Sequence, residues 1–166
     1  MFSYNQSSTP SGRQWIALST QSVGIGQGGT VSMIARVSLV DYRGRAIIDT
    51  YIRPTAPVAS YRTPQTGIEP HHLENGIPFN QARDFVASAI GGKILVGHSL
   101  WQDLHVLGLT HPAIDTRDLG LFLPFRVTLR NLNNIIGLQT LMHQLMRRQI
   151  TVSVQDSVGY PLCQEP

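Results

Sequence analysis

The chain has 166 residues, with 13 Lys and Arg against 10 Asp and Glu, a formal net charge of +3 and a pI of about 9.4. This length favours one domain with a sizeable core, and a hydrophobic share of 42% excludes a disordered chain. The single cysteine excludes an internal disulfide and a Cys-rich zinc site, and no apolar run approaches the ~18 residues of a membrane span. The mild positive charge does not by itself indicate a nucleic-acid partner.

The chain begins with a polar, Ser-rich segment. We expect residues 1–14 to form a flexible leader and residues 15–166 to form a single domain. Because the leader lacks the apolar stretch of a secretory signal, the sequence predicts an intracellular protein, in the cytoplasm or the nucleus, with no membrane contact.

Strand patterns dominate the first third of the domain. Residues 15–23, 32–40 and 46–52 are rich in apolar and β-branched side chains and are separated by turn signals at 24–29 and 41–44. Short turns between such segments favour a three-stranded antiparallel meander. The proline-rich stretch 54–78 is predicted to be a loop.

Helices and strands alternate after residue 78. Phe79, Ala82, Val86 and Ile90 have helical spacing, and two glycines follow and end the helix. An apolar strand is predicted at 94–96, then a helix at 100–107, a short strand at 116–119 and a helix at 132–146. This order predicts an α/β domain with a mixed sheet of about five strands flanked by helices.

Several separate blocks resemble one family. The blocks are strand 32–40 (SMIARVSLV), residues 49–54 (DTYIRP), Tyr-Arg-Thr and Thr-Gly-Ile at 61–68, and residues 94–100 (ILVGHSL) followed by Asp103. Their order resembles that of DEDDh 3′→5′ exonucleases of the RNA-exonuclease-4 and interferon-stimulated-gene-20 type. The resemblance runs from about residue 16 to 156. It implies an RNase H-like fold and hydrolysis of RNA or DNA from the 3′ end with two divalent metals.

The catalytic positions that the resemblance implies are degenerate. Ser19 and Gln21 stand where the family has an Asp and a Glu on the first strand, and Thr151 stands where it has the general-base His. Only Asp103 and Asp156 match family acids. Two carboxylates cannot balance two dications, and loss of the base removes a further ~10²–10⁴-fold in rate. We therefore expect the two-metal nuclease activity to be lost, with Mg²⁺ or Mn²⁺ bound only if residual family activity persists.

Other residues are candidates for a pocket or a relic site. Ser22 replaces a family Met that packs against a nucleotide, and Arg62 either holds a phosphate or ribose or braces the long loop. His98 is expected to bond to backbone rather than to act in catalysis. Asp103 and Asp156 are either relic metal ligands or helix caps and surface acids, and the polar stretch 19–22 is expected to need buried partners.

Three functions remain open from the sequence. The leading hypothesis is a pseudoenzyme that binds single-stranded RNA or DNA, or a protein partner, without cutting. The second is a repurposed enzyme with a small-molecule pocket lined by Ser19, Gln21, His98 and Asp103, and the third is an interaction module that associates with itself or another protein. A residual 3′→5′ exonuclease is a further alternative.

Overall fold

The computed structural model describes residues 14–150, which form one mixed sheet with helices packed against it. The strands follow the order β3-β2-β1-β5-β6, with β4 paired to the end of β1. Their bounds are β1 Trp15–Ile25, β2 Val31–Asp41, β3 Ala46–Tyr51, β4 Val58–Ser60, β5 Ile94–Gly97 and β6 Thr116–Asp118. The predicted antiparallel meander β1-β2-β3 is confirmed, and β5 and β6 add to it in parallel.

The helices connect the strands and cover the sheet. They are α1 Thr63–Thr66, α2 Pro70–Glu74, α3 Phe79–Ile90, α4 Leu100–Leu107, α5 Leu123–Thr128 and α6 Leu138–Met146. No helix within residues 14–150 is long and apolar enough to cross a membrane.

The α/β class is confirmed, and the sheet has six strands rather than about five. The extra strand, β4, lies in the predicted loop 54–78, where its short stretch pairs with Gly24 and Ile25 of β1. Two short helices, α1 and α2, also fall in this stretch, and each has a proline in its first turn. Proline is compatible with the first turn of a helix, so the prediction from proline content overestimated the length of the loop.

The last described helix is shorter than predicted. The periodicity predicted residues 132–146, whereas α6 begins at Leu138 after Gly137, whose extended backbone forms the helix N-cap. Asn133, Asn134 and Gly137 have low helix propensity and explain the late start. The sequence analysis also missed α5, which starts next to Pro124.

The main core lies between the sheet and the helices α3 and α4. Its buried residues come from alternate positions of the strands and one face of each helix, including Ile16, Leu18, Val37, Leu39, Val86, Leu95, Leu100 and Leu107. This packing presses α4 against β1, because both contribute residues to the same cluster.

Gly97 permits the close approach of α4 to β1. A Cβ at this position would lie 2.5 Å from Leu100 Cδ2 and 2.8 Å from the Leu18 carbonyl oxygen. The chain then turns at Ser99, which has a left-handed backbone with φ of 58°, and α4 begins at the next residue. The missing side chain of Gly97 therefore helps to place Asp103, on the first turn of α4, beside β1.

Candidate functional site

Ser19 and Gln21 lie on β1 opposite polar residues of β2. In the antiparallel register Ser19 faces Ser38 and Gln21 faces Arg36, so these four side chains share one face of the sheet. Gln21 is buried, at 5% exposure. The structure thus places Ser19 and Gln21 beside hydroxyl and guanidinium groups.

Asp49 of β3 completes this polar group. Arg36 donates to both of its carboxylate oxygens, at 2.8 and 2.7 Å, and the Ser38 hydroxyl donates to Oδ1 at 2.7 Å. Burial opposes the charged form of Asp49, but the hydrogen bonds from Arg36 and Ser38 and the charge of Arg36 outweigh it, so its pKa lies below the ordinary value. Both carboxylate oxygens of Asp49 therefore accept hydrogen bonds from side chains of β2.

Asp103 lies beside β1 on the side of α4. Its Oδ1 accepts hydrogen bonds from the backbone N–H of Thr20 at 3.2 Å and from the Thr20 hydroxyl at 2.6 Å. Since β5 pairs with β1 only through Trp15–Ala17, the Thr20 N–H lies beyond that pairing and uses the carboxylate as its acceptor. Asp103 thus forms a link between α4 and β1.

The charge of Asp103 is disfavoured in this position. Burial raises its pKa to about 6; the hydrogen bonds from Thr20 oppose the rise, the negative charge of Asp118 adds to it, and His98 acts against it. A Mg²⁺ or Mn²⁺ ligand needs the charged form, which Asp103 therefore adopts only at a higher pH than an exposed Asp does.

Asp118 holds the start of α4. Its Oδ1 accepts from the N–H groups of Ser99 and Gly120, at 3.1 and 2.9 Å, and its Oδ2 accepts from Leu100 N–H at 2.8 Å. The bonds from Ser99 and Leu100 satisfy donors at the N-terminus of α4, where a negative charge is favourable. The sequence analysis assigned no role to Asp118.

His98 bonds to the backbone. Its Nε2–H donates to the Ile136 carbonyl oxygen at 2.7 Å, and Nδ1 lies 3.4 Å from the Ser99 hydroxyl. A carbonyl oxygen only accepts, so Nε2 carries the proton. His98 thereby connects the end of β5 to the segment before α6.

A polar cleft of about 410 Å³ lies between α4, β1 and the long loop. Its lining consists of Thr20, Ser22, Ser32, Arg62, Trp101, Gln102, Asp103, His105 and Val106. The structure thus brings together three of the predicted site residues, Ser22, Arg62 and Asp103. Ser19 and Gln21 do not line this cleft, because successive side chains of a strand point to opposite faces and Thr20 and Ser22 take the cleft side. His98, which follows β5, also lies outside the cleft lining and bonds to Ile136 instead.

Arg62 both lines the cleft and braces the long loop. Its Nη1 donates to the Ser32 hydroxyl at 2.9 Å and its Nη2 to the Gly29 carbonyl oxygen at 3.0 Å. The two roles considered from sequence are therefore compatible, since a guanidinium has five N–H donors and these bonds use two of them.

The described residues do not fit a two-metal site. Within residues 14–150, no group of three or more His, Cys, Asp and Glu side chains could hold a metal ion. Asp103 is the one carboxylate in the cleft lining, and it is hydrogen-bonded to Thr20. The remaining predicted site residues, Thr151 and Asp156, lie outside the described residues.

The mixed sheet and its flanking helices define the class of the domain. Neurospora crassa Pan2, solved as a catalytic unit with protease and nuclease domains, matches with a TM-score of 0.74 over 93% of this chain and 26% of that chain, at 24% identity. The Saccharomyces cerevisiae Pan2 pseudoubiquitin hydrolase-RNA exonuclease module in complex with AAGGAA RNA matches with a TM-score of 0.75 over 95% and 28%, at 19% identity. The chain therefore has the RNase H-like exonuclease fold.

Sequence relatives narrow the class to a family. The chain is 36% identical to RNA exonuclease 4 of Saccharomyces cerevisiae over 143 residues, which are 86% of this chain and 48% of that protein. It is 42% identical to human RNA exonuclease 4, over 75% of this chain and 31% of that protein, and 45% identical to the mouse protein, over 67% and 26%. No family model matches the chain. The chain belongs to the DEDDh RNA exonuclease family and spans about a quarter to a half of the length of these relatives.

Proposed function

We propose that this domain is a catalytically degenerate exonuclease that binds single-stranded RNA in the cleft and does not cut it. The observation that carries the proposal is which residues stand at the positions of the family's catalytic acids and what they contact. Ser19 and Gln21 are neutral and lie on the other face of β1, and Asp103 is hydrogen-bonded to Thr20. The proposal thus gives the binding module predicted from sequence one binding site, the polar cleft, and one class of ligand, single-stranded RNA.

Charge balance argues against the two-metal reaction. Two divalent cations bring a charge of +4 and are held by hard carboxylate oxygens, which also position the attacking water and the leaving oxygen. The cleft offers one carboxylate among its described residues, and its charged form is disfavoured by burial. Even with Asp156 added, two carboxylates would leave half of that charge unbalanced.

Relatives and local chemistry support RNA as the ligand. The sequence relatives are named RNA exonucleases, and one structural neighbour is an RNA complex. The cleft supplies a guanidinium at Arg62, hydroxyl groups at Ser22 and Ser32, and one exposed indole at Trp101. A cation, hydroxyl groups and an aromatic surface together suit the phosphate, ribose and base of a single strand.

The test uses a 5′-labelled single-stranded RNA hexamer. Fluorescence anisotropy in EDTA measures binding, and gel analysis with Mn²⁺ measures shortening from the 3′ end. We expect saturable binding in EDTA and an unchanged RNA length with Mn²⁺. Rapid stepwise shortening of the RNA by the purified protein would overturn the proposal of an inactive enzyme and support the alternative of a residual exonuclease.

Two arginine variants localise the binding. Arg62→Gln removes a cation from the cleft and should lower the salt dependence of binding by about 0.7 in log–log slope, the amount expected for one phosphate contact. The matched control is Arg83→Gln on the exposed side of α3, which lies outside the cleft lining. Equal effects of the two substitutions would place the RNA elsewhere.

The alternative of a small-molecule enzyme has less support. Of the four residues predicted to line its pocket, only Asp103 lines the cleft. Binding of RNA with no turnover of either RNA or mononucleotides would argue further against it.

A further inference from the structure

Trp101 presents an aromatic surface to solvent at the edge of the cleft. It is the second residue of α4 and is 56% exposed, although an indole is largely apolar. A single exposed apolar side chain is ordinary on a protein surface. The location of Trp101 is what distinguishes it, because it belongs to the walls of two different cavities.

The second cavity is an apolar groove of about 670 Å³. Trp101 lines it together with Trp15, Leu104, Leu121, Phe122 and Phe125, and the rings of Phe122 and Phe125 meet edge to face at 4.9 Å. Trp101 therefore separates a polar cleft, which carries Arg62 and several hydroxyl groups, from an apolar and aromatic groove. A nucleotide has the same division, with a charged, hydroxylated backbone and a flat base.

We propose that Trp101 is the stacking residue for a nucleobase of single-stranded RNA whose backbone lies in the cleft. This inference rests on the proposed function and assigns it a specific contact. Of the neighbouring cleft residues, Ser22 and Ser32 are too small to stack on a base, and Gln102 has no aromatic face. His105 also offers a ring to this cleft, but the indole of Trp101 has the larger π-face and also borders the apolar groove. Stacking tolerates any base, because every base has a π-face.

The size of the effect follows from the chemistry of stacking. Removing one base–aromatic contact weakens single-strand binding by roughly 5- to 150-fold. Trp101→Leu keeps an apolar side chain but removes the ring, so we expect a loss in this range. Trp101→Phe keeps a ring and should lose much less.

Intrinsic fluorescence reports the contact directly. The chain has two tryptophans, so Trp15→Phe leaves Trp101 as the one indole. We expect unlabelled RNA hexamer to quench its emission, with a midpoint equal to the Kd from anisotropy of the labelled RNA. The matched control is Tyr42→Leu, an aromatic side chain that is 65% exposed at the β2–β3 turn and lies outside both cavity linings; it should leave the Kd unchanged.

The outcomes separate this inference from the proposed function. Saturable anisotropy with unchanged Trp101 emission, and an unaltered Kd for Trp101→Leu, would overturn the stacking role and leave RNA binding in place. Absence of any anisotropy change would overturn both. A Trp101→Phe Kd as weak as that of Trp101→Leu would also refute stacking, because the retained ring would then contribute nothing.

Discussion

Replacing Asp103 by Asn separates the charge of this residue from its hydrogen bonds. Both bonds from Thr20, through its N–H and its hydroxyl, end on the same carboxylate oxygen, Oδ1. An Asn side chain offers an oxygen at that position and can accept both. The substitution therefore removes the buried negative charge while it keeps the link between α4 and β1.

The magnitude follows from the pKa of Asp103. Burial is the main cause that raises it from 3.8 to about 6, a change of about two units, and each unit corresponds to ~1.4 kcal/mol. Because the folded-state pKa is raised, the native protein holds the proton more tightly than the unfolded chain does. Stability therefore falls as the pH rises from about 4 to about 6, and the full cost of about 3 kcal/mol applies above pH 6.

Chemical denaturation at several pH values checks this reasoning. At pH 8 the Asp103→Asn protein should be more stable than the native protein by up to about 3 kcal/mol, which corresponds to a rise in Tm of roughly 6–12 °C. Near pH 3.5 the difference should vanish, because Asp103 is then neutral. The charge interactions of Asp118 and His98 with Asp103 are lost together with its charge, so they form part of the expected difference. An Asn variant that is less stable at pH 8 would refute the account of a disfavoured charge.

Three further variants test other parts of the site. Asp118→Ala leaves two backbone N–H groups at the start of α4, and that of Gly120, without their acceptor and should lower the free energy of unfolding by about 2 kcal/mol or more in urea denaturation. Gly97→Ala forces a Cβ against α4 and β1 and should lower the free energy of unfolding by about 1–3 kcal/mol in the same assay; an unchanged value would mean that α4 shifts freely. Ser19→Asp with Gln21→Glu adds two carboxylates on the face of β1 opposite the cleft, so we expect no saturable Mn²⁺ binding by calorimetry; micromolar binding would mean that the two new acids and Asp103 share one site.

Local sequence patterns predicted the elements that have strong periodicity. The spacing of Phe79, Ala82, Val86 and Ile90 gave α3 with both of its ends, because its core face and the following glycines act over a few residues. The same reasoning failed for residues 132–137, where apolar side chains continue but Asn and Gly disfavour a helix. It also missed β4, whose pairing with β1 is a contact between distant segments.

The site was predictable only in part for the same reason. Matched motifs pointed to Ser22, Arg62 and Asp103, and these residues share the cleft. Thr20 was noticed only as part of a polar stretch, because its partner Asp103 is 83 residues away in the chain. The position of Trp101 between two cavities likewise depends on how α4 packs, which spacing along one helix does not reveal.

Titration of the native protein with Mn²⁺ alone, followed by isothermal calorimetry at pH 8, tests the central claim most directly. This pH favours the charged form of Asp103, whose pKa is about 6, and so gives a metal site its best chance. We expect no saturable binding at micromolar Mn²⁺, because Ser19 and Gln21 bring no charge and the Asp103 carboxylate is hydrogen-bonded to Thr20. Saturable binding of two Mn²⁺ ions per chain in the micromolar range would contradict the loss of the two-metal site.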